Sequence, residues 1–404
     1  MAVCSAVTES TDHAIDTEAD MTNISNDMVT LPPPRPAASA RSLRVALPLL
    51  TLSWSVLAVI LVASVVRVQR WETAPGSALA VAPRISFTAG TEEPPARDST
   101  DGGVMFVTAL TGQLSALDAI LGWIDPHVQV QTFEERFGTL TPSQVRRLGY
   151  QSMVGSKEIA EFVAMRRLGY EAELVEGDVV VEQVVCEGTL PAVAACTVLD
   201  IGETIVALYG VPVPTLTALS AQMADRKVGD SVVLSVIPYS KDATDKDPST
   251  AEKRTLTLME DPDTPGRPII GFIPADTRTV SLPFRAEIST AGIGGPSAGL
   301  AFTLALLDEL TAGNLMGRGR VAATGTMSAD ETVGAIGALE QKAVAVRESG
   351  ATLFLVPATQ TEAELAAARR AAGAGVRIVP VATLADALAA LRANGGAPLD
   401  DPGV

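Results

Sequence analysis

Ser297 lies in Ala291–Leu307, AGIGGPSAGLAFTLALL, where Gly292, Gly294 and Gly295 permit tight turns and Pro296 suits a first helical turn. Leu300, Phe302, Leu304, Leu306 and Leu307 then supply the core face of a helix. A serine at that helix start holds its hydroxyl at the positive end of the dipole, beside backbone N–H groups of the kind that stabilise an oxyanion. Alone, the segment also reads as a serine cap on a Gly-rich turn. It is not a phosphate loop, since no Gly-Lys-Ser/Thr occurs anywhere in the sequence, and ATP is not implied.

A serine nucleophile needs a base. The chain has two histidines, His13 and His127, both upstream of the serine, which argues against Ser-His-Asp catalysis and histidine-bound zinc. Three cysteines are too few for a four-thiolate zinc site or a disulfide scaffold. No metal and no cofactor is expected. Lys342 is the remaining candidate, in the helical stretch GALEQKAVAVRESG, Gly337–Gly350. At 100° per residue, Ala338, Leu339, Ala345, Val346 and Ser349 share its side, while Glu340, Gln341, Arg347 and Glu348 lie opposite. Val344 is expected to face outward. Burial on the apolar side disfavours the ammonium, and lowering a lysine from about 10.4 to roughly 7–8 takes about 3–5 kcal/mol. A neutral Lys342 would take the Ser297 proton and return it to the leaving amine. A snorkelling lysine, stem packed and head in water, satisfies the same periodicity.

These residues need a folded body, and the sequence suggests how it is carried. Val45–Val66 is an uncharged apolar run that spans about 33 Å as a helix, enough to cross a membrane. A cleaved signal peptide, with Ser77–Ala82 as cleavage site, is the weaker reading because a long polar lead precedes an over-long apolar run. Residues 1–44, with PPPRP at Pro32–Pro36, read as a disordered cytoplasmic tail, 45–66 as a transmembrane helix and 67–103 as a linker. The basic residues flanking the span are nearly balanced. A short tail inside and the large body outside is the simpler topology. The balance of 30 Lys+Arg against 47 Asp+Glu, net −17, argues against nucleic acid as a partner.

Residues 104–164 read as a strand followed by helical patterns. Beyond them, Asp178–Val185 and Ser231–Ile237 read as strands with a helix at Pro214–Asp225 between them. Leu199-Asp200-Ile201-Gly202-Glu203-Thr204-Ile205 resembles the L-x-x-G-D-x-I turn and strand of PDZ domains, with Glu203 where Asp is usual. Gly210–Val213 matches the short element before the groove helix. The resemblance implies an α+β PDZ-like domain over 165–262 that binds extended peptides at a sheet edge. Leu168-Gly169-Tyr170 is a candidate carboxylate loop or a plain helix-to-strand connection. Cys186 and Cys196 read as a disulfide or as a reduced pair.

Gly295-Pro296-Ser297-Ala298-Gly299, followed by Lys342 in G-x-L-x-x-K, resembles the proteolytic domain of the Lon family. There Gly-Pro-Ser-Ala-Gly carries the nucleophile and the last lysine of Lys-Glu-Lys the base; here that triplet is Glu340-Gln341-Lys342. Ala323-Thr324-Gly325-Thr326 resembles the family's Thr-Gly strand, which implies that Thr324 orients the lysine, with Gly295 in the oxyanion neighbourhood. The similarity covers 267–396 and leaves 397–404 as a tail. The acidic residue often found before Gly-Pro-Ser is replaced by glycines. The resemblance implies an α/β proteolytic domain and a ring-shaped homo-oligomer such as a hexamer. The whole reads as a multidomain, membrane-anchored PDZ Lon-like serine endopeptidase, ATP-independent, acting on exported peptides or unfolded proteins. The alternative is a membrane-tethered PDZ adaptor without activity.

Overall fold

A computed structural model describes residues 40–94, 97, 103–186, 190–239 and 248–399. The expected tail lies outside the described residues up to residue 39, as do residues 400–404. Helix α1, Ala40–Val65, contains an apolar stretch, Val45–Val65, of mean hydropathy 2.4. It is long enough to cross a membrane by length and composition.

From Arg67 the chain builds a body of its own. Strand β1 (Arg67–Ala80) runs antiparallel to β2 (Met105–Ser115), which leads into α2 (Ala116–Ile124) and β3 (Gln129–Gln131). Helix α3 (Pro142–Arg167) starts at a capping box in which Thr141 and Gln144 exchange hydrogen bonds. It ends at Gly169, φ 82°, with the Tyr170 N–H donating to the Met165 carbonyl in a Schellman turn. Leu168-Gly169-Tyr170 is therefore the end of a helix, with Tyr170 packed edge-on against Phe284, and not a carboxylate loop.

The next strands form a separate antiparallel sheet: β4 (Val179–Val184), β5 (Thr204–Leu208), β6 (Ser231–Ile237), β7 (Glu252–Thr257) and β8 (Phe272–Pro274), in the order β7-β6-β5-β4-β8. Helix α4 (Leu216–Met223) contributes Leu219 to its core. That core, from Val179 to Ile270, shares no buried residue with the rest of the body. The chain then returns through α5 (Gly299–Leu310), β9 (Val321–Ala323), α6 (Leu339–Glu348), β10 (Leu353–Pro357), α7 (Glu362–Ala372), β11 (Arg377–Val381) and α8 (Leu384–Ala393).

The main sheet has the order β11-β10-β9-β2-β1-β3, with β11, β10, β9 and β2 parallel. Residues alternate across it as strand geometry requires. Phe106, Val321, Leu353 and Leu355 enter a core with α3, α5 and α8, while Met105, Ala322, Phe354 and Val356 enter a second core with α6 and α7.

Three expected divisions of the chain are corrected by this arrangement. Residues 67–103 are not simply a linker, because β1 lies inside the main sheet, bulged between Pro75 and Ala78 where proline cannot donate to the ladder. A Cβ on Gly76 would come 2.5 Å from the Thr108 carbonyl oxygen, so the strand approaches too closely for a side chain there. Residues 104–164 are likewise no separate region, since β2 and α3 build the same core as α5. Ile270 lies in the inserted core and Phe272–Pro274 is the last strand of its sheet, so the α/β body resumes after Pro274 and not at 267.

Candidate active site

The Gly-rich approach to Ser297 is shaped by Ala291, Gly292 and Gly295, at φ 48°, 79° and 100°. Helix α3 straps this loop down. The Gly149 carbonyl accepts from the Gly295 N–H at 2.7 Å, and Ser156 Oγ donates to the Pro296 carbonyl at 3.0 Å. Gly149 and Ser156 are two turns apart on one face of α3. From the other side, the Gly325 N–H (2.8 Å) and Thr324 Oγ1 (3.0 Å) donate to the Ser297 carbonyl. Gly299 lets α5 start against this strand end, since a Cβ there would lie 2.8 Å from the Met327 nitrogen.

Lys342 projects from α6 into the same place. Its Nζ is 2.7 Å from Ser297 Oγ and 3.3 Å from Thr324 Oγ1. Lys342 is 4% exposed and Thr324 is fully buried. Burial lowers the lysine from its ordinary 10.5 to about 7. The head group is thus held inside, not snorkelled to water. Thr324 accepts from the lysine while its own hydroxyl donates to Ser297, which fixes the lysine relative to the loop.

The structure brings Ser297, Lys342 and Thr324 within hydrogen-bonding distance of one another and places Gly295 two residues before the serine, its N–H engaged by Gly149. Val344, expected to face outward, is 2% exposed. Helix α6 packs on the sheet with one side and on α7 with another, so a single apolar face understates its burial. Gln341 is buried as well and donates to the His127 carbonyl.

Gly149 and Ser156 were not singled out as site residues by sequence. The available signal was two glycines, Gly149 and Gly155, inside one helical pattern, which costs about 1 kcal/mol each unless backbones must approach. A cavity of about 230 Å³ opens beside Pro296, between α3 and the inserted sheet, lined by Gln151, Ile159, Asp276 and Met327 among others. Gln151 Oε1 is buried there with no hydrogen-bond partner among the described residues.

A serine hydroxyl at a helix start, against a buried lysine that deprotonates near neutrality, is the equipment of a serine hydrolase. Residues 290–393 match the model of the Lon protease (S16) C-terminal proteolytic domain. The chain carries a Lon-type proteolytic domain, and with it the character of a serine peptidase.

Solved structures similar to part of the chain include the PDZ domain of an SdrC-like protein from Listeria monocytogenes, at 24% identity over 25% of this chain and 88% of that one, TM-score 0.19. The corresponding domain from Listeria innocua aligns at 20% identity over 23% and 92%, TM-score 0.17. A solution structure from Geobacillus thermodenitrificans aligns at 23% identity over 24% and 95%, TM-score 0.18. Comparison with curated proteins gave no match.

Proposed function

We infer that the chain is a membrane-anchored serine endopeptidase working through a Ser297–Lys342 dyad, without ATP, on exported peptides or unfolded proteins. The observation that carries this reading is the 2.7 Å separation of Lys342 Nζ and Ser297 Oγ at a buried lysine. Neutral Lys342 removes the hydroxyl proton as Ser297 Oγ bonds to the scissile carbonyl carbon. The oxyanion develops just before the N-terminal end of α5, where the helix dipole and the backbone N–H groups beside Ser297 stabilise it. Protonated Lys342 then gives its proton to the departing amine as the C–N bond breaks. The acyl-enzyme is hydrolysed by a water that Lys342 deprotonates in turn. Thr324 acts through the lysine as a positioning residue.

The cavity beside Pro296 suits a substrate side chain, with the unpartnered Gln151 oxygen available to a donor on it. The PDZ-like module supplies extended chains to this entrance, and the body stands outside the membrane on the end of α1. A homo-oligomeric ring is part of this reading through the Lon resemblance.

The test is labelling of the full chain in detergent with a fluorophosphonate or peptide-boronate probe across pH 6–10. Labelling that rises through about pH 7 and vanishes in both Ser297→Ala and Lys342→Ala is the expected result. Folded protein that never labels, yet still binds peptides, would instead be an adaptor. Casein degradation unchanged by ATP checks the energy requirement.

A further inference from the structure

Helix α2 is packed the wrong way round for a soluble body. It buries its small residues, Ala119 (5% exposed) and Gly122, against β3 and its approach, where a Cβ on Gly122 would come 2.9 Å from Val130. It turns its large ones out: Ile120 and Leu121 at 54%, Trp123 at 67% and Ile124 at 74%. At 100° per residue these four fall on one side of the helix, and Asp118 falls on the other. Leaving four such side chains in water forgoes burial that solitary exposed apolar residues do not concentrate in one place.

The position of α2 says what covers this face. The chain leaves α1 at Val65, and the Ala116 N–H donates to the Val66 carbonyl at 2.9 Å. The first turn of α2 is thus hydrogen-bonded to the residue that follows the apolar helix. Arg67, the next residue, donates to the Gln113 carbonyl just ahead of α2. An arginine and an exposed tryptophan beside the end of an apolar span are the side chains that settle at a lipid headgroup layer.

We propose that α2 is a second membrane contact: its Ile120–Leu121–Trp123–Ile124 face enters the headgroup and acyl boundary beside the end of α1. This rests on the reading of α1 as a membrane anchor. With two attachments the body is oriented as well as tethered, since one helix alone leaves it free to swivel. An amphipathic face of this kind reaches about 5–10 Å into the boundary.

The three tryptophans of the chain, Trp54 in α1, Trp71 in β1 and Trp123, allow a direct test. Full-length protein is reconstituted into phosphatidylcholine vesicles without bromine, with bromine near the carbonyl end of the acyl chains, which reports on Trp123, or with bromine near their methyl end, which reports on Trp54 at the middle of the span. Emission is recorded for wild type, Trp54→Phe and Trp123→Phe, and each difference spectrum isolates one indole. Trp123 emission quenched by roughly half or more by the lipid brominated near the carbonyl end is the expected result. If Trp54 is quenched and Trp123 is not, the anchor stands and α2 is not in the membrane. Should Trp123→Glu then split a detergent-solubilised complex, the face belongs to a second copy of the chain. If neither indole is quenched, the anchor reading fails and this inference fails with it.

Discussion

Thr324 has one hydroxyl with two duties, accepting from Lys342 Nζ and donating to the Ser297 carbonyl. Thr324→Val keeps the shape and removes both. Because the accepted bond favours the charged lysine, its loss should move the acid limb of kcat/KM below pH 7 while the rate falls about 10–100-fold. Thr324→Ser should restore both, and a pH profile separates this from a merely structural defect. Lys342 itself should follow linkage. Its folded pKa, about 7, lies below the ordinary 10.5, so the unfolded state binds more protons between these values and stability rises with pH across that window. Lys342→Met should therefore be inactive yet more stable at pH 7, on the order of 3 kcal/mol, with the gain shrinking toward pH 10 in urea melts. Lys342→Arg should also be inactive, since guanidinium does not deprotonate. At this scale the sequence was most legible. Ser297 and Lys342 each sit in a local pattern whose chemistry can be argued, and Thr324 was reached through the family resemblance. Their 2.7 Å meeting was not legible, because it depends on how β9 and α6 pack.

Helix α3 shows what periodicity conveys and what it omits. Its existence could be read from the helical pattern, but its role as a strap over the Ser297 loop could not, because the Gly149–Gly295 contact joins distant parts of the chain. The same helix carries Glu161, 6% exposed, whose pKa burial and then Glu158 raise from 4.5 to about 8. For a carboxyl with a raised folded pKa, the native state holds the extra proton, so stability is full below about 4.5 and declines as pH climbs toward 8. Glu161→Gln should flatten that decline and be more stable than wild type at pH 8.5, on the order of 3 kcal/mol, by denaturant titration at several pH values. Identical pH dependence in the two proteins would show that Glu161 is ionised in the native state. Val344 teaches the same lesson as α3: a one-faced helix was assumed where sheet and α7 enclose two faces.

At the scale of the whole molecule, strands far apart in sequence decide the architecture. Ala322 pairs with Met105, and β9 is only Val-Ala-Ala, too short and small to show any period. A reading along the chain therefore set modules in series, where the structure interrupts one α/β body with another sheet. The inserted sheet meets the body at its two chain crossings and at α3, where Gln144 and Arg147 both donate to the Asp200 carboxylate. Glu173–Val175 pairs with Thr279–Ser281, Thr277 Oγ1 donates to the Asp178 carbonyl, and Gly177 allows a contact in which any Cβ would overlap the Thr277 carbonyl oxygen. Since the inserted core is separate from both cores of the body, replacing residues 178–276 by a short Gly-Ser turn should leave the body folded. Glu182, Ala275 and Asp276 would be lost from the cavity beside Pro296, so one wall of the entrance opens while Ser297, Lys342 and Thr324 stay in place. If the inserted sheet supplies extended chains as proposed, hydrolysis of a short fluorogenic peptide should persist within about 10-fold, and turnover of unfolded protein should fall far more. Circular dichroism and probe labelling of the shortened protein establish that it is folded and competent. If it then loses peptide and protein hydrolysis equally, the inserted sheet is a wall of the catalytic site and not a supplier of substrate.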